Sequence, residues 1–171
     1  MAMRLDRVVV KLTKEEAERA AIFGVRRAAD SLTNRGDKKV AMIDKSLWTS
    51  YILGCLGECA VAKHLGLKWD GVVGHWSSSD LPGGIEVKVV AGDYRVNYLH
   101  LQKENKGDRP YFLVAPLQPE RSLEFAIIGW EWGKHIMQDI YWGDHYGKGW
   151  PCYRKPDTEL RPVSDFHAAA Q

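Results

Sequence analysis

Three cysteines in 171 residues are too few, and too odd in number, to form a disulfide framework, and the chain reads as a protein of a reducing cytoplasm. Cys55 and Cys59 stand four apart, but no second Cys/His pair follows at zinc spacing, so they read as buried thiols packed like small hydrophobes. Long apolar runs are missing too. No stretch approaches the roughly 20 consecutive apolar residues of a membrane span. The opening MAMRLDRVVVKL breaks its short apolar run with charges and reads as a strand, not as a signal peptide. An excess of one sign is also lacking: 24 Lys/Arg against 22 Asp/Glu leave a formal charge of +2. What is present is an ordinary globular mixture, 45% hydrophobic and 27% charged, which excludes disorder as the main state. A domain near this size buries roughly 70% of its unfolded surface.

The charge is unevenly spread. Residues 1–45 carry eleven Lys/Arg and seven Asp/Glu, whereas residues 46–102 carry four and five, and residues 103–171 nine and ten. Positive potential therefore concentrates in the N-terminal quarter. With no repeat, linker or low-complexity tract, the chain divides into regions of one domain. These are a basic helical region 1–45, a core 46–130 and an aromatic-rich C-terminal region 131–171.

Thr13-Lys14-Glu15-Glu16 has the form of a capping box, which predicts a helix to about residue 32 with Ala17, Ala20, Ala21, Gly24, Val25, Ala28 and Leu32 on its apolar stripe. Arg19, Arg26 and Arg27 lie off that stripe. A second helix is predicted over residues 46–65, ending at Gly66. Between Leu47 and Ala62 its one formal charge is Glu58, so it reads as buried all round, with Trp48 in the core and its glycines admitting a close backbone neighbour. A β pattern follows. Residues 67–75 read as a strand, 77–80 and 85–90 as a hairpin, 111–117 and 123–130 as another, and 131–140 as a short helix. Residues 98–102 are ambiguous. The order of elements predicts a mixed α/β domain.

The sharpest local signal is Ile85-Glu86-Val87-Lys88-Val89-Val90. In a strand, Glu86 and Lys88 share one face while Ile85, Val87 and Val89 share the other. The acid-x-Lys triplet occurs three times, and only this one lies in a clear strand; a surface ion pair is its plain alternative. If Pro82-Gly83-Gly84 is a three-residue turn with Gly84 in the left-handed region, Asp80 falls opposite Glu86 on the same face. Two carboxylates held together repel unless a cation or a proton lies between them. Glu58, a lone carboxylate in a buried helix, calls for a metal or for a buried lysine or arginine partner.

These residues, Gly57-Glu58-x-Ala60, then Asp80, then Glu86-Val87-Lys88 in an apolar strand, resemble the PD-(D/E)XK nuclease superfamily, the restriction-endonuclease-like fold, over residues 50–130. Two departures are a serine, Ser79, where the motif has proline, and only five residues between Asp80 and Glu86. The resemblance implies a mixed β-sheet flanked by helices and a Mg²⁺-dependent nuclease that hydrolyses phosphodiester bonds in DNA, with Mn²⁺ as a substitute. It implies a catalytic set of Glu58, Asp80, Glu86 and Lys88. Asp80, Glu86, the Val87 carbonyl and Glu58 would hold metal. A non-cleaving nucleic-acid-binding module of the same fold and a ribonuclease are the alternatives. Arg19, Arg26, Arg27, Arg35, Lys38 and Lys39, with Lys103, Lys106 and Arg109, are the candidate phosphate contacts. A homodimer is left open. The Trp/Tyr-rich segment 142–155 reads as loop packing or as a surface on which bases stack.

Overall fold

The apolar stripes and strands predicted above assemble, in the computed structural model, into two sheets and three helices. The structure describes residues 7–34, 47–73, 78–90, 98–118, 121–145, 147 and 149–167. Strand β1 (Val8–Lys11) leads into α1 (Lys14–Asn34) and α2 (Leu47–Leu65). Strands β2 (Glu86–Val89), β3 (Tyr98–Leu101), β4 (Pro110–Pro116) and β5 (Glu124–Trp132) follow. Helix α3 (Gly133–Ile136), β6 (Trp142–Gly143) and β7 (Cys152–Pro156) complete the order. None of the described helices is long and apolar enough to cross a membrane.

The capping box closes as its spacing requires. The Thr13 N–H donates to Glu16 Oε2 at 2.8 Å, and the Glu16 N–H donates to Thr13 Oγ1 at 3.2 Å. Helix α1 buries a narrow stripe of Ala20, Gly24 and Ala28. Val25 and Leu32, expected on that stripe, are instead exposed, because α1 touches the body along its smallest residues. The reason is the tight crossing of α1 over α2, where a Cβ at Gly24 would lie 2.5 Å from the Ile52 Cα. The glycines of α2 do not serve such an approach. Gly54 faces open space, and Gly57 meets the Val89 and Val114 side chains of the sheet. Trp48 is exposed, not core, because it sits in the first turn of α2, ahead of the continuously buried run from Gly57 to Ala62.

The main sheet has the order β1-β5-β4-β2. Strand β2 runs parallel to β4, and the other neighbours are antiparallel. Strand β4 is buried along its whole length because both of its faces are covered. Phe112 and Val114 pack into a core with Cys55, Cys59, Ala60 and Val61 of α2. Tyr111, Leu113 and Ala115 pack into a second core with Leu99, Leu101, Ile128 and Ile136. That second face is covered by the small sheet β3-β7-β6 and by α3. Helices α1 and α2 therefore lie on one face, and the small sheet with the short α3 on the other.

Three further expectations change. Residues 67–73 contain no strand, and the rest of 67–75 lies outside the described residues. The helix expected over 131–140 shrinks to Gly133–Ile136, because Glu131 and Trp132 continue β5 against Tyr111 and Pro110. The ambiguous segment 98–102 is a strand, made so by its antiparallel partner β7. The hairpin of β4 and β5 is present as read.

Candidate functional site

The turn Pro82–Gly84 sets the site. Leu81 bridges Ile85 in antiparallel fashion around a three-residue loop, and Gly83 and Gly84 have φ of 77° and 76°. Only glycine adopts these angles readily. One step outward, Asp80 therefore opposes Glu86, as the turn arithmetic requires. Their carboxyl groups are in hydrogen-bonding contact, and Asp80 Oδ2 also accepts the Val87 N–H at 2.8 Å. That N–H points away from β4, because β2 is the end strand of its sheet as described. In a strand, the N–H and C=O of one residue point the same way, so the Val87 carbonyl also faces the Asp80 side.

Glu86 and Lys88 lie on the face of Tyr111 and Leu113, their partners on β4. The Lys88 Nζ stands 5.9 Å from the centre of the Tyr111 ring. Arg109 donates through Nη1 to Glu86 Oε1. Burial, then the negative charge of Asp80, push Glu86 up from 4.5 to about 7 against the Arg109 hydrogen bond and the charge of Lys88.

Glu58 enters from α2 and is 4% exposed. Both its oxygens are engaged. Arg27 donates to Oε1 at 2.5 Å and to Oε2 at 3.0 Å, and the Trp69 indole N–H donates to Oε2 at 3.1 Å. Arg27 also donates through Nε to the Val72 carbonyl at 2.9 Å. Burial and the charge of Asp80 nevertheless push Glu58 up to about 7. Of the two readings of Glu58, a metal or a buried cationic partner, the structure shows the partner: its oxygens bond an arginine and a tryptophan. Arg27, read as a phosphate contact, is the counter-ion of that buried carboxylate.

These groups line one cleft of about 340 Å³, together with Tyr51 and Gly54 of α2 and the turn Glu104-Asn105-Lys106. Lys106, one of the candidate phosphate contacts, lines the cleft, and its backbone is fixed by the Tyr111 hydroxyl. Arg109 is there too, but bonded to Glu86 and not directed outward. Arg19 and Arg26 are exposed on α1, against the Trp69 and Phe23 rings respectively. Lys103 lies over the Trp142 ring at 4.7 Å and does not line the cleft. Arg35, Lys38 and Lys39 lie outside the described residues. In the aromatic segment, Trp142 packs on Tyr153 at 4.7 Å and Arg154 covers Tyr98 at 3.6 Å, while Trp150 is exposed.

Among the described residues, no group of three or more His, Cys, Asp or Glu side chains is gathered so as to hold a metal ion. A smaller set fits a hard divalent cation. Asp80 and Glu86 are adjacent oxygen donors whose mutual repulsion is incompletely offset, and the Val87 carbonyl shares their side of the strand. Magnesium characteristically takes one or two carboxylates and keeps waters or phosphate oxygens in its other positions. Tyr51, Gly54, Trp69 and the pairing of Arg27 carried no periodic signal in the sequence. The third acid-x-Lys triplet, 104–106, lies in a turn that the fold brings to the cleft.

Comparison of the chain with protein-family models, with curated proteins and with solved structures gives no match.

Proposed function

We propose that the protein is a Mg²⁺-dependent nuclease of the PD-(D/E)XK type, hydrolysing phosphodiester bonds in DNA. The observation that carries the reading is the convergence of Asp80 and Glu86 across a three-residue turn, with Lys88 on the Glu86 face of the same strand. Asp80, Glu86 and the Val87 carbonyl would hold the cation. Bound there, it would supply Lewis-acid charge to the phosphate and make the attacking water more acidic. Lys88 orients that water and offsets the negative charge that builds on the phosphate oxygens. Glu58 acts at one remove. It fixes Arg27 at the cleft wall, where the guanidinium adds positive potential without being free to leave. Exposed Arg19 and Arg26 supply outer contacts to the nucleic-acid backbone.

One observation favours the second reading, a binding module that does not cut: two of the three glutamates of the cleft, Glu58 and Glu86, are paired with arginines. A cleavage time course separates the two. Plasmid, linear, single-stranded and RNA substrates are incubated with wild type and with Lys88→Ala, in Mg²⁺, Mn²⁺, Ca²⁺ or EDTA. Wild type is expected to cut DNA with Mg²⁺ and Mn²⁺ and to bind without efficient cutting in Ca²⁺. Lys88→Ala should lose at least about a hundredfold in rate, because its charge acts in the transition state. Binding by wild type with no cutting of any substrate would select the module. Cutting of RNA alone would make the protein a ribonuclease.

A further inference from the structure

The formal charges of the cleft balance before any divalent cation arrives. Its lining carries four carboxylates and four lysine or arginine side chains. A doubly charged ion entering between Asp80 and Glu86 must therefore take over a carboxylate that another cation already neutralises. Two arginine–glutamate pairs are present, and they are built differently. Arg27 is locked, with two bonds to Glu58 and a third to the Val72 carbonyl, and its side chain is 14% exposed. Arg109 reaches Glu86 from the start of β4, with its side chain 22% exposed toward the cleft.

The backbone under Arg109 is held firmly. Its carbonyl accepts the Gly133 N–H at 2.8 Å, and the nearby Gly107 carbonyl accepts the Lys134 N–H at 2.7 Å. Gly133 packs so closely on this turn that a Cβ there would lie 2.4 Å from the Lys106 carbonyl oxygen. The base of the Arg109 side chain is therefore fixed beside the cleft. The side of the Pro82–Gly84 turn that it skirts is lined by glycine: a Cβ at Gly84 would stand 4.0 Å from the Arg109 Cγ.

We propose that Arg109 is an exchangeable counter-ion. It neutralises Glu86 while no divalent cation is bound, gives up that carboxylate when one binds, and turns its guanidinium to the phosphate that enters the cleft. The inference rests on the nuclease reading for the identity of the cation and the phosphate. No bond is made or broken beyond the exchange of one ion pair for two. The exchange couples the two ligands, because a cation that frees Arg109 also creates a phosphate-binding group. Arg27, tied on three sides, keeps its place throughout.

The test reads metal binding without catalysis. Mn²⁺ is titrated calorimetrically into the full chain as wild type, Arg109→Ala, Arg109→Gln and Glu86→Gln, with thermal melting of each to confirm folding. Binding of a short duplex is then measured in Ca²⁺. Removing the competitor should tighten Mn²⁺ binding by about tenfold in both arginine variants while weakening duplex binding by a similar factor. A purely structural arginine would move both affinities in the same direction. Glu86→Gln should weaken Mn²⁺ binding. If Mn²⁺ binding depends on Glu86 but is unchanged or weaker in Arg109→Ala and Arg109→Gln, the counter-ion inference is overturned and the metal site stands. If wild type binds no Mn²⁺ and the arginine variants do, the inference holds in its strongest form. If none of the four binds Mn²⁺, the metal site and the inference fall together.

Discussion

Arg27 and Glu58 form the most deeply committed ion pair of the cleft, and its removal has asymmetric consequences. Truncating one partner leaves a charge buried without compensation, which typically costs about 3–5 kcal/mol. Arg27→Ala should therefore lower the free energy of unfolding in urea by an amount in that range. The double variant Arg27→Met/Glu58→Leu should recover much of the loss, because an apolar pair no longer needs a counter-charge. A double variant no more stable than Arg27→Ala would mean that the bonds to Trp69 and Val72 matter more than the charge pair. At this scale the sequence was partly legible. The opposition of Asp80 and Glu86 followed from counting residues around Pro82-Gly83-Gly84, since the side-chain period of a strand is two. Glu58 announced itself as a charge needing a partner, but Arg27 did not announce itself as that partner. Its position off the apolar stripe of α1 pointed outward, and only the crossing of α1 over α2 turns that flank toward Glu58. Arg109 sat in a polar turn whose course depends on α3, fifty residues beyond the carboxylate turn.

The element that sets this geometry is the contact of α1 with α2. At Gly24 the two backbones meet with no room for a methyl group: the obstacles within 3 Å are the Ile52 Cα and N and the Tyr51 carbonyl oxygen. Gly24→Ala must push the helices apart, because backbone atoms cannot yield as a flexible side chain does. Overpacking of this kind typically costs about 1–3 kcal/mol. Thermal melting should show the loss, and Gly24→Ala should bring a larger loss than Ala28→Gly one turn further on. The opposite ranking would show that the crossing is not governed at Gly24. Among the elements, local signals were read well and non-local ones poorly. The capping box, the buried α2 and the β4–β5 hairpin declare themselves within a few residues of sequence. Strands β3 and β7 are four and five residues long and exist because they pair with each other across fifty residues. The apolar run after Gly66 lacks such a partner among the described residues, and remains a loop that delivers Trp69 to Glu58.

Taken whole, the molecule is a sheet with a core on each face. Leu99 and Leu101 of the small sheet point into the second core, so His100 between them lies on the opposite face of β3, opposite Arg154 of β7. Burial, then the charges of Arg154 and His145, lower His100 from 6.5 to about 4. As pH falls, the unfolded chain takes up this proton before the folded one does. The contribution of His100 to stability is therefore full above about pH 6.5 and is lost as pH falls toward about 4. Glu58 and Glu86, both raised to about 7, act in the opposite sense, since the folded chain takes up their protons first. In urea unfolding, His100→Gln should therefore hold its stability better than wild type as pH falls through that window; identical pH profiles would show that His100 contributes no acid sensitivity. The mixed α/β order was legible from the succession of elements, but the covering of the second face by a sheet was not, since short strands far apart in sequence build it. Finally, Asp80 does more than present an oxygen to the cleft. By accepting the Val87 N–H it occupies a donor on the outermost strand among the described residues, the kind of open rung to which a foreign strand can attach. A carboxylate there repels another chain's carbonyls and leaves it nothing to bond, so the residue that would hold a cation also guards the molecule against self-association along its own edge.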